Sequence, residues 1–251
     1  MRRFRIIPIL LVNNSGLYKS KKFKSLQYVG DPINTVKIFN DKEVDEICIL
    51  DINATINNTG PNFTLINNVS SEAFMPLSYG GGITNLEQVE KIFRNGVEKV
   101  VINSNFLINP NLIKQIANKF GSQSVVVSID YKSNIFGKNI VYTKCGKHKT
   151  NFSPIEYAKM AEDYGAGEIL LNSIERDGMY VGYDQQLLNS ISSNINIPII
   201  ICGGASNITD FSEAIKNGAS AVSAGSMFIF QRPHQAVLIS YPKYSEIKIL
   251  S

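Results

Sequence analysis

The chain writes one stretch twice. Met75 to Ser104, MPLSYGGGITNLEQVEKIFRNGVEKVVINS, returns as Ile197 to Ser226, IPIIICGGASNITDFSEAIKNGASAVSAGS. Each copy reads as a buried apolar strand, a glycine turn, an Asn-led helix of about ten residues, a Gly stop and a second apolar strand ending in small residues. The marks keep a constant offset of 122, from Gly81 to Gly203, Asn85 to Asn207, Gly96 to Gly218 and Ser104 to Ser226. Glu46 to Asp51, EICILD, and Glu168 to Ser173, EILLNS, keep the same spacing. Such regularity means duplication, and a period this long is half of a domain rather than a solenoid repeat. The halves fall at about 1–122 and 123–251.

The glycines suggest what the unit is for. At the carboxyl end of a strand, Gly80-Gly81-Gly82 and Gly203-Gly204 let the backbone approach a ligand and offer it bare N–H groups, with a helix N-terminus behind them. A tight strand-to-helix turn without a ligand explains one such loop equally well. Two loops related by an internal repeat favour a ligand with a phosphate at each end.

Taken in order, the chain alternates strands and helices. Arg5 to Val12 is a continuous apolar run, followed by a polar, lysine-rich stretch at Asn13 to Gly30 that reads as a long loop, either an active-site lid or a disordered excursion. Asp31-Pro32 opens a helix to about Asp41; Glu46 to Asn53 is a strand, and Asn62 to Ser71 and Asn111 to Phe120 are helices. Ser124 to Asp130 is a strand, and Tyr131 to Thr150 is a hairpin or long loop. Ser153-Pro154 caps a helix to Tyr164, Asp184 to Ser193 is another, and Arg232 to Ser251 is a tail that is a candidate for closing a barrel. Two matching halves of this kind, at 251 residues, argue for a single (β/α)₈ barrel. Its ligand face would collect Asp51, Asp130, Gly82, Asn103, Ser104, Gly178, Gly204, Gly225 and Ser226.

Composition narrows the function classes. A hydrophobic content of 44% with 18% charged residues suits a large core, and a net charge of +4 suits a small anionic ligand without a basic cluster for nucleic acid. Cys48, Cys145 and Cys202 lack metal or redox spacing, and with only His148 and His234 a zinc site or a histidine triad is not expected. No signal peptide or membrane-length apolar run is legible, so a cytoplasmic protein without metal or cofactor is expected.

Several motifs together carry a family resemblance. GDP at 30–32, LDI at 50–52, YGGGI at 79–83, KFGSQSVVVSID at 119–130, NSIERDGMYVGYD at 172–184 and CGGA at 202–205 resemble the cyclase subunit of imidazole glycerol phosphate synthase, from Arg5 to about Phe230. The resemblance implies a barrel that receives ammonia from a glutaminase subunit, HisH-like, docked on its amino-terminal face, and uses it to cleave and cyclise a bis-phosphate. The family's chemistry rests on two aspartates, acting as general acid and base, at the ends of the first and fifth strands. The fifth-strand member matches Asp130, whereas the first-strand position, in ILLVNNS, holds Leu11, which can neither give nor take a proton.

The remaining assignments also follow from the resemblance. Arg5, Glu46, Lys99 and Glu168 match a ring of charges that gates ammonia; pointing to solvent at a sheet edge is the bland alternative for each. Lys19 matches the mobile-loop lysine, and Gly82, Asn103 and Ser104 on one side, with Gly178, Gly204, Gly225 and Ser226 on the other, match the phosphate sites. YVGDPINTV at 28–36 and RPHQAVLISYP at 232–242 are similar to a branch associated with surface-polysaccharide genes. That branch implies a barrel feeding ammonia, with a glutaminase and a sugar amidotransferase, into an acetamidino-sugar. Authentic histidine-pathway cyclisation, with Asp51, Asp177 or Asp184 as relocated acid, and a non-catalytic glutaminase-activating scaffold are the alternatives.

Overall fold

A computed structural model describes residues 4–243 and 245–246. Eight parallel strands form the barrel: β1 (Arg5–Asn13), β2 (Ile47–Asp51), β3 (Leu77–Gly80), β4 (Lys99–Ile102), β5 (Val125–Ser133), β6 (Glu168–Ser173), β7 (Ile199–Cys202) and β8 (Ala221–Ala224). Each pairs with the next, and Arg5↔Ala221 to Pro8↔Ala224 closes β8 onto β1, so the eight strands form a closed barrel. The tail takes no part in that closure. Its Ala236–Val237 pairs with Phe230–Gln231 in a separate two-stranded ribbon, and its Tyr241 hydroxyl donates to the Ile6 carbonyl at 3.0 Å; the tail beyond residue 246 lies outside the described residues.

Strand parity builds two cores. Side chains alternate across a strand, so β1 turns Ile6, Leu10 and Val12 outward to the helices while Ile7 and Ile9 face the barrel interior. Inside, Ile7 and Ile9 pack with Cys48, Val101, Val126, Leu170, Ile200, Cys202 and Ala221, with Leu11 and Leu50 against them at one end. The outer core is the larger one, and carries Phe39, Phe106, Tyr157, Phe211 and Phe228, each at most 1% exposed.

The helices sit where cap chemistry puts them. Asp31 accepts from the Asn34 amide ahead of Pro32–Asp41, and Asn62 does the same for Phe63–Ser70. Ser153 and Glu156 form a reciprocal capping box ahead of Pro154–Asp163. Positions 122 apart take equivalent parts: Asn85 caps Leu86–Arg94 and Asn207 caps Ile208–Lys216, while Gly96 and Gly218 follow those helices at φ 88° and 101°. Ser104–Ile108 and Ser226–Ile229 are matching one-turn helices, too short to leave a sequence period.

The stretch expected as a long loop after β1 is a β-hairpin, Gly16–Lys21 against Lys24–Gly30, continuing antiparallel from β1 through Leu11↔Tyr18 and Asn13↔Gly16. Its polar residues hid it, because one strand is exposed from Lys24 to Tyr28 while the other packs Leu17, Lys19 and Ser20 inward. A second hairpin extends β5 through Asn139–Thr143 and His148–Lys149. Both rise from the same end of the barrel. Among the described residues no helix is long and apolar enough to cross a membrane.

Candidate functional site

The carboxyl ends of the strands surround a cavity of about 450 Å³ beneath the two hairpins. Strand parity brings Leu11 from β1, Leu50 from β2, Asp130 from β5, Asn172 from β6 and Cys202 from β7 to it, and Asp51, of the opposite parity, borders it at the very end of β2. Lys19 and Ser20 enter from the first hairpin, and Lys144 and Cys145 from the second.

Asp130 is the most perturbed carboxylate whose position the structure fixes. Only 8% exposed, it accepts one hydrogen bond from Asn172 Nδ2 and one from Asn103 Nδ2, both at 3.2 Å. Burial raises the carboxyl to about 7; the Asn172 bond pulls it down, and the Asp177 charge pushes it up. A carboxyl poised there can take or give a proton near neutral pH. Asn172 orients it and leaves its own Oδ1, buried, without a partner among the described residues. The sequence reading missed Asn172, although its parity with Glu168 and Leu170 on β6 places it at this mouth.

The other carboxylates of the region have structural engagements. Asp51 Oδ1 accepts from the Asn53 and Ala54 amides at 3.0 Å each, at the start of the one-turn helix Ala54–Asn57. Asp177 Oδ2 accepts from the Ser20 hydroxyl at 2.6 Å and the Phe23 amide at 3.4 Å, pinning the first hairpin down. Burial raises both carboxyls. Asp184 accepts from the Leu187 amide and, at 3.2 Å, from the Tyr131 hydroxyl, and does not line the cavity.

The two glycine cradles differ in access. Gly82, Asn103 and Ser104 line the cavity, and Gly225 borders it beside Lys19. Gly178 and Ser226 line a separate pocket of about 20 Å³ under the first hairpin, and Gly204 lines neither. Gly178 must be glycine here: at φ 68° a Cβ would collide with the Ser20 carbonyl. Gly81, at φ 137°, has no room for a Cβ, which would lie 2.6 Å from that of Asp51. The first-half cradle is therefore open to the cavity, whereas of the second-half set Gly178 and Ser226 lie beneath a latched hairpin.

At the opposite end of the barrel four charges form a closed ring. Arg5 donates to Glu46 at 2.5 Å and to Glu168 at 2.6 Å, and Lys99 donates to the same two carboxylates at 3.1 Å each. Every carboxylate meets both cations, so the ring is neutral. Glu46 and Glu168 are 2% and 8% exposed, which isolated charges would not tolerate. Between ring and cavity lies the apolar interior around Ile7 and Ile9. Cys48 and Cys202 within it are reduced, and burial raises both thiols to about 12, which keeps them protonated and inert. Among the described residues no cluster of His, Cys, Asp and Glu is arranged to hold a metal.

The chain is also similar to known proteins. The sequence model of the family described as "Histidine biosynthesis protein" matches residues 5–233. The chain is 50% identical over 250 residues to the "Putative imidazole glycerol phosphate synthase subunit hisF2" of Pseudomonas aeruginosa, covering 99% of this chain and 100% of that protein. It is 42% identical over 250 residues to the "Putative imidazole glycerol phosphate synthase subunit hisF3" of Vibrio vulnificus, covering 99% and 96%. With the "Imidazole glycerol phosphate synthase subunit HisF" of Streptomyces coelicolor it shares 37% over 226 residues, 90% of each chain.

Proposed function

The chain belongs to the HisF family of histidine biosynthesis proteins, and on that premise we propose that it is the cyclase-type subunit of a glutamine amidotransferase complex. Ammonia released by a glutaminase partner on the amino-terminal face enters at the Arg5, Glu46, Lys99, Glu168 ring and travels through the apolar interior. It meets a phosphorylated substrate in the cavity, where Asp130 handles protons. The observation that carries this reading is the alignment of a neutral charged ring, an apolar bore and a titratable buried carboxylate along one barrel. Gly82, Asn103 and Ser104 hold one phosphate; Gly178, Gly204, Gly225 and Ser226 hold the other once the hairpin lifts from the second cradle.

The relatives' names favour the histidine pathway, in which the substrate is the bis-phosphate that is cleaved and cyclised. A second reading, amidination of a sugar in surface-glycan synthesis with a sugar amidotransferase as further partner, is favoured by Leu11, which puts an inert side chain where the family carries a catalytic aspartate. The greater similarity to the hisF2 and hisF3 relatives than to the Streptomyces subunit fits such a branch.

The purified protein, given the bis-phosphate and an ammonium salt, separates these readings. The expected result is formation of the imidazole product without any glutaminase. A folded protein that forms none removes the histidine reading, and the glycan reading then stands only if glutamine-derived nitrogen reaches a sugar amidine in cells carrying the gene and not in cells lacking it.

A further inference from the structure

If the cavity hosts cyclase-type chemistry, as proposed above, it needs two groups that move protons, one to relieve the attacking nitrogen and one to supply the leaving group. Asp130 is the first. Leu11 cannot be the second, and the nearby carboxylates have structural engagements: Asp51 Oδ1 holds the amides of Asn53 and Ala54, Asp177 Oδ2 latches the hairpin, and Asp184 meets Tyr131 outside the cavity.

Of the two lysines that border the cavity, Lys144 is exposed, which leaves the buried Lys19. It sits on the hairpin strand that pairs with β1, next to Tyr18, the partner of Leu11. Its side chain turns into the barrel and is 4% exposed, an unusual place for an ammonium. Nζ donates to the carbonyl of Ile9, two residues below Leu11 on the same strand, and among the described residues that is its one hydrogen-bond partner. It also lies against Gly225, where a Cβ would come within 2.7 Å of Nζ. Two of its three N–H bonds are thus left for a ligand in the cavity that Lys19 shares with Asp130.

We propose that Lys19 is the proton donor of this site, standing in for the carboxylate that Leu11 replaces. Ammonia forms its bond to the substrate carbon and gives a proton to the Asp130 carboxylate. As the bond to the leaving atom breaks, its electron pair stays with that atom, which takes a proton from the Lys19 ammonium. Lys19 is left a neutral amine and Asp130 a neutral acid, and exchange with water restores both.

The surroundings tune Lys19 for this. Desolvation lowers it to about 8, opposed by the charge of Asp177 on the loop after β6; the thiols of Cys202 on β7 and Cys48 on β2, nearby in the interior, stay protonated and carry no charge. Asp130 on β5 and Asp51 on β2 are the other ionisable carboxyls bordering the cavity, with Lys144 and Cys145 across from them. An amine at that position is still charged at neutral pH and is a much stronger acid than an ordinary lysine.

Two measurements test the assignment. In ammonium-driven turnover of the bis-phosphate, Lys19→Arg keeps the positive charge but cannot release a proton. It is expected to lower kcat about 10²–10⁴-fold with KM changed only a few-fold, and adding Leu11→Asp to it restores at least tenfold. A Lys19→Arg protein with wild-type kcat overturns the proposal and leaves lysine a phosphate-holding role. Separately, ¹⁵N-lysine side-chain NMR of the free protein, with Lys19 assigned by its absence in Lys19→Arg, should show titration near 8. Titration near 10.5 overturns the proposal even where turnover is seen. Wild-type protein without turnover but with Lys19 titrating near 8 instead counts against the bis-phosphate reading, because the NMR result does not depend on it.

Discussion

Asp130→Asn is expected to abolish ammonium-driven turnover, by about 10²–10⁴-fold, and at the same time to make the protein more stable at alkaline pH. Both follow from burial. The folded state raises the carboxyl to about 7, whereas an unfolded aspartate sits near 3.9. The fold therefore prefers the protonated form: the stability associated with it is fully present below the unfolded value and is lost as pH rises through the folded one. At pH 8 that loss amounts to roughly 4 kcal/mol, from three pH units at 1.36 kcal/mol each. Asparagine escapes it but gives up one of the two hydrogen bonds from Asn103 and Asn172, about 1–2 kcal/mol. A net gain of about 2 kcal/mol corresponds to a Tm higher by about 4–8 °C at pH 8 for a chain of this size. Near pH 5 the advantage should shrink toward zero or reverse. Thermal unfolding of the two proteins at both pH values checks this, and a variant less stable at pH 8 would mean that the native carboxylate is solvated.

The pKa values of Asp130 and Lys19 together shape the rate. A base that works only when ionised gives a limb rising through about 7, and an acid that works only when charged gives a limb falling through about 8. With Lys19 as donor the optimum is a narrow one between them. Removing the donor should erase the falling limb and leave the rising one.

Much of this layout was readable before any coordinates. Glu168–Ser173 is legible to the residue because an apolar run opens on a charge that the barrel end can neutralise. The helix starts are legible because Asp31, Asn62, Ser153, Asp184 and Asn207 are side chains that satisfy free amides. The first hairpin was not, since Lys19 is a charged residue turned inward and Lys21, Lys22 and Lys24 surround it with polarity. Nor could one chain reveal that Asp177 spends its carboxylate on Ser20 and Phe23, or that Gly178 lies under that hairpin, because both depend on contacts some 150 residues apart. The tail was expected to be a candidate for barrel closure; β8 meeting β1 leaves it no edge to fill.

Lys99→Met is the substitution expected to cost most in stability. Glu46 and Glu168 each share Lys99 with Arg5, so its loss leaves two buried carboxylates on one guanidinium and a ring with a net negative charge. Breaking a buried pair in this way typically costs about 3–5 kcal/mol, or a Tm lower by about 6–20 °C for a chain of this size. Adding Glu168→Gln removes the surplus charge and should recover most of the loss, since Arg5 and Glu46 then remain as a neutral pair. That recovery separates charge imbalance from lost packing, because a packing defect would persist in the double variant. Function should divide differently. With the glutaminase partner present, Lys99→Met should lower glutamine-driven turnover while ammonium-driven turnover, which depends on the cavity at the other end, stays within a few-fold of wild type. Equal loss of both would make the ring a structural clamp and nothing more, whereas a selective loss that persists in the double variant, where stability and neutrality are both recovered, would place the passage of ammonia at the positive charge of Lys99 itself.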